Sequence, residues 1–294
     1  MNTLRYVGHD EPLTTEQGAY IKERAVFAAR RAFVGRKLFG SAVRKIDSGA
    51  QTFGYDTLTE VSAAAFDFNW PGRQSQDIIN LARETVAIPN LHKEFEINKL
   101  DLASSRMTGT PINTSTAESA AYKVALLEDS TLIVGYTASG TTYEIAGLYN
   151  TAGVNTFGGA TWGTATNIPL SINAAKAALL TDNIMPPYNL TLHPNEYVDT
   201  LVFIANTAVS YLQWIQESLG GGNVYVTPAI TAGTGMMTKA NPDGMFELVM
   251  AEDLTTETET LSIKEGNNLF GRVYVRDLPV VYDANAICTI TGIA

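Results

Sequence analysis

The sequence predicts an α+β fold organised around one long helix, and three observations predict it. An alanine-rich stretch between Asn113 and Gly135 repeats apolar residues at three- and four-residue steps over about 20 residues, enough for a helix of roughly 30 Å. Short β-branched and apolar runs at 188–192, 224–226, 246–250, 272–276 and 280–290 read as strands. Residues 57–68 read as extended, turn at Trp70-Pro71-Gly72, and return in a stretch ending near Ala87. Such a two-arm excursion has little apolar surface of its own and must lie on something else to be stable.

Along the chain, Thr14 and Gln17 stand at capping-box spacing and open a helix in which Ile21, Ala25, Ala28 and Ala32 recur in phase. Gly35 suits its stop. Residues 88–102 read as a strand through Phe95 and Ile97, followed by a loop with Gly109 and Pro111. In the long helix, Ala117, Ala120, Val124, Leu127 and Thr131 define one side. Residues 137–163 are rich in Gly, Thr and Asn and read as loops and turns. A helix is expected over 172–181 and another over 194–215, with Tyr197, Leu201, Ile204 and Ala208 in phase. The triple glycine Gly220-Gly221-Gly222 reads as a flexible loop, and 231–239 as turn-rich.

Composition narrows the function classes. Charged residues make up only 17% of the chain, below the roughly 25% of ordinary soluble proteins, as expected either if much of the surface is covered by other copies or if the surface is that of a thermophile or rich in Thr and Asn. The formal net charge of −10 argues against a protein coated outside with nucleic acid. Yet Lys22, Arg24, Arg30, Arg31, Arg36, Lys37, Arg44 and Lys45 stand together against the single acid Glu23. They form a cationic segment near the N-terminus, which by itself reads as a solvated helix face. The single cysteine, Cys288, sits in an apolar run and reads as a buried structural thiol. No apolar stretch approaches the roughly 20 residues of a membrane span, and residues 1–11 lack the apolar core of a signal peptide. A soluble, reducing compartment is therefore expected, where the two glycosylation-like triplets at Asn113 and Asn189 are chance matches.

No chemistry-bearing pattern stands out. His9, His92 and His193 have no partners at metal-ligand spacing, and nucleophile-elbow, P-loop and zinc-helix motifs are missing from the sequence. His193, just before Pro194, reads as a helix cap. Glu252-Asp253 and Glu257 with Glu259 read as a solvated rim, and Glu128-Asp129 on the long helix suit ion pairing to a neighbouring subunit. No enzyme, cofactor or metal is expected.

The order of parts resembles the major capsid proteins of tailed viruses, the Hong Kong 97-type fold, in the branch shared with encapsulins. Gly35-Arg36-Lys37-Leu38-Phe39 is similar to the exit of the shell-protein N-arm helix. Gly54-Tyr55-Asp56-Thr57 resembles the start of the extended loop, and Ile88-Pro89-Asn90-Leu91 the strand returning from it. Residues 117–135 look like the spine helix, and Gly147-Leu148-Tyr149-Asn150 like the segment that follows. Pro187-Tyr188-Asn189-Leu190, residues 222–229 and Leu278-Pro279-Val280-Val281-Tyr282 resemble axial-domain and closing strands.

The resemblance implies an N-terminal arm and helix at 1–45, an extended loop at 46–87 and a peripheral domain with the spine helix at 88–171. It also implies an axial domain at 172–255 and return strands at 256–294. It implies pentamers and hexamers of many identical copies closing into an icosahedral shell, with portal or decoration proteins as further partners and no membrane. Some relatives weld the loop through a lysine–asparagine bond; no lysine lies between Lys45 and Lys93, so this loop cannot supply the amine. Two contents are compatible with such a shell. The favoured reading is a tailed-virus capsid assembled in the host cytoplasm around its genome, which implies that Lys22, Arg24, Arg30, Arg31, Arg36, Lys37, Arg44 and Lys45 form an inner surface facing the nucleic acid. The alternative is a cytoplasmic encapsulin nanocompartment, holding a cargo enzyme docked beside the N-terminal helix near Phe27 and Phe33.

Overall fold

The computed structural model describes residues 15–29, 34–58, 81–108, 113–137, 144–242, 244–258 and 268–294. Helix α1 spans Thr15–Ala29 and buries Ile21 and Ala25, as their helical spacing predicts. Arg30, Arg31, Ala32, Phe33, Thr14 and His9 lie outside the described residues, as do the Trp70 turn and Glu259. Gly35 does not end α1. It opens a second helix, α2 (Gly35–Phe39), which leads into β1 (Val43–Lys45). The hairpin is present at its base as β2 (Thr52–Leu58) and β3 (Leu81–Ala87), paired antiparallel.

Strand β4 (Leu91–Asn98) buries Leu91, Phe95 and Ile97 on one face. It ends where helix α3 (Lys99–Thr108) begins, in place of the expected continuation of the strand and loop. The Asn98 side chain explains the switch, since its Oδ1 accepts from the Leu100 amide at 2.8 Å. The long helix is α4 (Ser115–Ile133), 19 residues. Ala117, Ala120, Val124 and Thr131 are buried as expected, but Leu127 is 42% exposed. The buried face instead takes in Ala121, Ala125, Glu128, Asp129 and Leu132.

Short strand β5 (Gly135–Tyr136) precedes the expected loop region, and β6 (Ile145–Ala146) and β7 (Asn155–Gly158) interrupt it. Helix α5 (Asn167–Thr181) starts five residues before the sequence suggests. Strand β8 (Tyr188–Leu192) is buried at every position. The single helix expected over 194–215 is two, α6 (Pro194–Asp199) and α7 (Tyr211–Ser218). Between them, Asn206 takes a left-handed conformation (φ +61°), Phe203 bridges Ser210, and the Ser210 hydroxyl caps α7 by accepting from the Gln213 amide. His193 caps α6, its Nδ1 accepting from the Asn195 amide, which is the role its place before Pro194 suggests.

The last elements are β9 (Val224–Val226), β10 (Thr234–Lys239), β11 (Phe246–Thr258), β12 (Asn268–Val281) and β13 (Ile287–Thr291). The stretch 280–290 is thus split between two strands by a 3-10 turn at Ala284–Ala286. Two larger sheets result, ordered β1-β11-β12-β4 and β7-β13-β10-β8-β9. The four-stranded sheet packs its Leu91, Phe95, Val273 and Val275 against α1 and α4. The five-stranded sheet packs against α5 and α7, around Trp162, Ile172, Tyr188, Ile215 and Ile290. Segments 88–171, 172–255 and 256–294 each give strands to both sheets, so the two cores are woven from the whole chain.

Two glycines show how tightly this is done. The triple glycine is a close approach as well as a turn: a Cβ on Gly222 would fall 1.6 Å from the Tyr188 carbonyl oxygen. On β12, Gly271 lies under the Phe95 ring, where a Cβ would come within 2.3 Å of Cζ.

Candidate functional site

A closely constrained joint lies where α2 meets α4. Helix α2 is too short to hold itself. Its first amides are instead satisfied from 94 residues away: Asp129 Oδ1 accepts from the Val34 amide at 2.9 Å and the Gly35 amide at 2.6 Å. The other oxygen accepts from the Thr227 hydroxyl at 3.3 Å. Burial pushes the Asp129 carboxyl upward from its ordinary pKa, and these hydrogen bonds pull it back only in part. One residue earlier, Glu128 accepts from Arg36 Nε, and Arg36 Nη1 donates to Asp253 on β11 at 2.7 Å. Burial works against the Arg36 charge, yet the two carboxylates outweigh it and raise its pKa. The acid pair therefore acts within the chain, where the sequence suggested a neighbouring subunit.

The basic segment divides in two. Arg36 is tied into this joint, and Arg44 pairs with Glu247 at 2.9 Å while lying over the Phe53 ring. Lys22, Arg24, Lys37 and Lys45 are exposed. Arg24 stacks on Tyr20 one turn away. A surface hollow of about 650 Å³ on α1 is lined by Tyr20, Lys22, Glu23, Arg24, Val26 and Phe27. Phe27 is 60% exposed.

Of the acidic residues on β11 expected at a solvated rim, Asp253 is exposed, whereas Glu252 and Glu257 are half-buried and engaged. The Tyr274 hydroxyl lies within hydrogen-bond distance of Glu252 and Glu257, at 2.7 and 2.9 Å, so its one proton serves either carboxylate, and Arg272 reaches Glu257 at 3.3 Å. Among the described residues no group of His, Cys, Asp and Glu could hold a metal ion, and no helix is long and apolar enough to cross a membrane. Cys288 is buried, and burial lifts its thiol to about 11.

Large apolar side chains do stand in the open. Val198, Val202 and Phe203, on and after α6, are 60%, 52% and 65% exposed. Leu100 and Met107 on α3 reach 74% and 88%, and Leu170 on α5 67%. Composition alone could not locate this surface, because single apolar residues in short helices and in the α6–α7 link carry no periodic pattern.

Residues 1–262 match the family model Linocin_M18, encapsulating protein for peroxidase. The chain is 27% identical over 289 residues to the type 1 encapsulin shell protein EncA of Myxococcus xanthus, covering 98% of this chain and 96% of that protein. It is 28% identical over 201 residues to a diheme-cytochrome-encapsulin shell fusion protein of Kuenenia stuttgartiensis, 68% of this chain and 53% of that protein. Among solved structures it is similar to the virus-like particle from Pyrococcus furiosus (TM-score 0.68, 18% identity, 94% and 98% of the two chains). It is also similar to the capsid of Myoviridae phage XM1 (TM-score 0.64, 15% identity, 90% and 94%). The fold is the Hong Kong 97-type capsid fold. Between the two readings of the sequence, these relatives favour the encapsulin over the tailed-virus capsid. The chain belongs to the Linocin_M18 family of encapsulating shell proteins and is a shell-forming structural subunit.

Proposed function

We propose that the chain self-assembles into a closed icosahedral nanocompartment in the cytoplasm and encloses a cargo enzyme, without catalytic activity of its own. The observation that carries this reading is the end-to-end similarity to an encapsulin shell protein. The exposed apolar residues on α3, α5 and the α6–α7 link support it, because such residues belong at interfaces between copies. In this reading the four-stranded sheet with α4 forms the peripheral domain, and the five-stranded sheet with α5 to α7 the axial domain. The β2–β3 hairpin is the base of an extended loop lying on a neighbour. The α1 hollow beside Phe27 receives a cargo tail on the lumen side, and Lys22, Arg24, Lys37 and Lys45 face the same interior.

Those four exposed cations are the one observation that favours enclosure of a genome instead. Purification of particles from the native source, mass spectrometry of their contents and nuclease treatment separate the two. A stoichiometric enzyme inside nuclease-insensitive particles is the expected result; long protected nucleic acid would support the capsid reading and overturn the cargo proposal.

A further inference from the structure

Among the described residues, one buried polar cluster does not balance. Asp277 lies in the middle of β12, opposite Met250 of β11, and is 1% exposed. Neither of its carboxyl oxygens receives a hydrogen bond from any donor. It faces the carboxyl of Glu128 on α4, itself 2% exposed and bonded to Arg36 of α2. The surrounding charged groups are otherwise committed. Arg276, the neighbour on β12, donates to the Ser48 and Ala50 carbonyls. Asp253 on β11 has a side chain 67% exposed to water, Lys45 on β1 lies near it, and Asp129 is turned to Val34, Gly35 and Thr227. Lys37 on α2 is exposed, and Arg36 Nη2 is buried without a partner. With Glu128 and Asp277 both ionised, one guanidinium faces two buried carboxylates; a single proton makes the buried set neutral and supplies the missing donor.

We propose that Glu128 and Asp277 share one proton at neutral pH in a carboxyl–carboxylate hydrogen bond, and that its loss at alkaline pH loosens the joint of α2, α4 and β12. Two like carboxyls in a dry site cannot both ionise without cost, so the proton belongs to the pair and not to either residue. Burial and the facing Glu128 carboxylate push Asp277 well above the usual carboxylate range, against a weaker opposing pull from Arg36. A carboxyl with a raised pKa binds more protons folded than unfolded. Its stabilisation is complete below the ordinary carboxylate range, near pH 4, and is lost as pH rises through the raised value.

The test is infrared spectroscopy of the wild-type protein, in whatever assembly it forms, with melting curves from acidic to alkaline pH for wild type, D277N and E128Q. We expect a neutral-carboxyl band at pH 7 that titrates away at alkaline pH and is missing in D277N. Wild-type melting should fall more steeply with rising pH than that of D277N. In E128Q the band should titrate at lower pH, since the facing negative charge is gone. If D277N does not fold, the wild-type band and the E128Q midpoint still decide. A wild-type spectrum without the band at pH 7, parallel melting slopes, or an unmoved E128Q midpoint would overturn the proposal.

Discussion

Replacing Asp129 by Ala should open α2 without melting the rest of the subunit. The carboxylate accepts two backbone amides at the start of a five-residue helix, and the α2 side supplies no side-chain cap of its own. Hydrogen bonds to a charged acceptor contribute about 1.5–3 kcal/mol each, but the burial that raises the Asp129 pKa returns part of that. A net loss of about 2–3 kcal/mol follows, which at about 1.4 kcal/mol per tenfold corresponds to amide exchange roughly 30- to 140-fold faster across α2. D129N keeps an acceptor oxygen and loses the charge, so its acceleration should be about tenfold. Hydrogen exchange read by mass spectrometry on residues 34–39 measures both directly. Unchanged exchange there in D129A, or an acceleration spread evenly over the chain, would refute the assignment of Asp129 as the remote cap.

Three further outcomes follow from the packing. G271A places a methyl group against the Phe95 ring and should destabilise by about 1–3 kcal/mol in denaturant unfolding; F95L in the same chain should recover part of the loss, and additive effects would contradict the contact. Cys288, with its thiol lifted to about 11, should resist maleimide in the native protein at pH 8 and react on unfolding, whereas rapid native labelling would show that the strand β13 face is open. F203D should leave subunit stability within about 0.5 kcal/mol yet sharply reduce the yield of closed particles, because the side chain is exposed in the single chain and covered in the proposed shell. Equal particle yields would remove the α6–α7 link from the interface.

How far the sequence carried can be judged from particular elements. Helix α4 was legible because alanine favours helix, Asn113 and Thr114 offer a start, and Gly135 ends it. Strand β8 was legible because Tyr188, Leu190 and Leu192 alternate with Asn189 and Thr191 after two prolines. The central strand β10 was not, since Gly235, Met236 and Met237 carry no strand preference; Gly235 is there because Leu192 crowds it, a Cβ falling 3.0 Å from Leu192 Cδ2. Helix α3 carried a signal that could have been read: Asn98 as cap, with Asp101 in the first turn. The arm-exit joint was out of reach. Arg36, Glu128, Asp253 and Asp277 are far apart in the chain, and each alone looks like a surface charge. Only the fold reveals that Glu128 and Asp277 are buried, and that Arg36 answers to the long helix and not to a solvent-facing basic surface.

The most direct test of the shell assignment uses the chain alone, expressed without any cargo and examined by electron microscopy and light scattering. Closed, uniform, hollow particles of icosahedral outline are the predicted result. A monodisperse small oligomer, with the fold intact by circular dichroism, would contradict it.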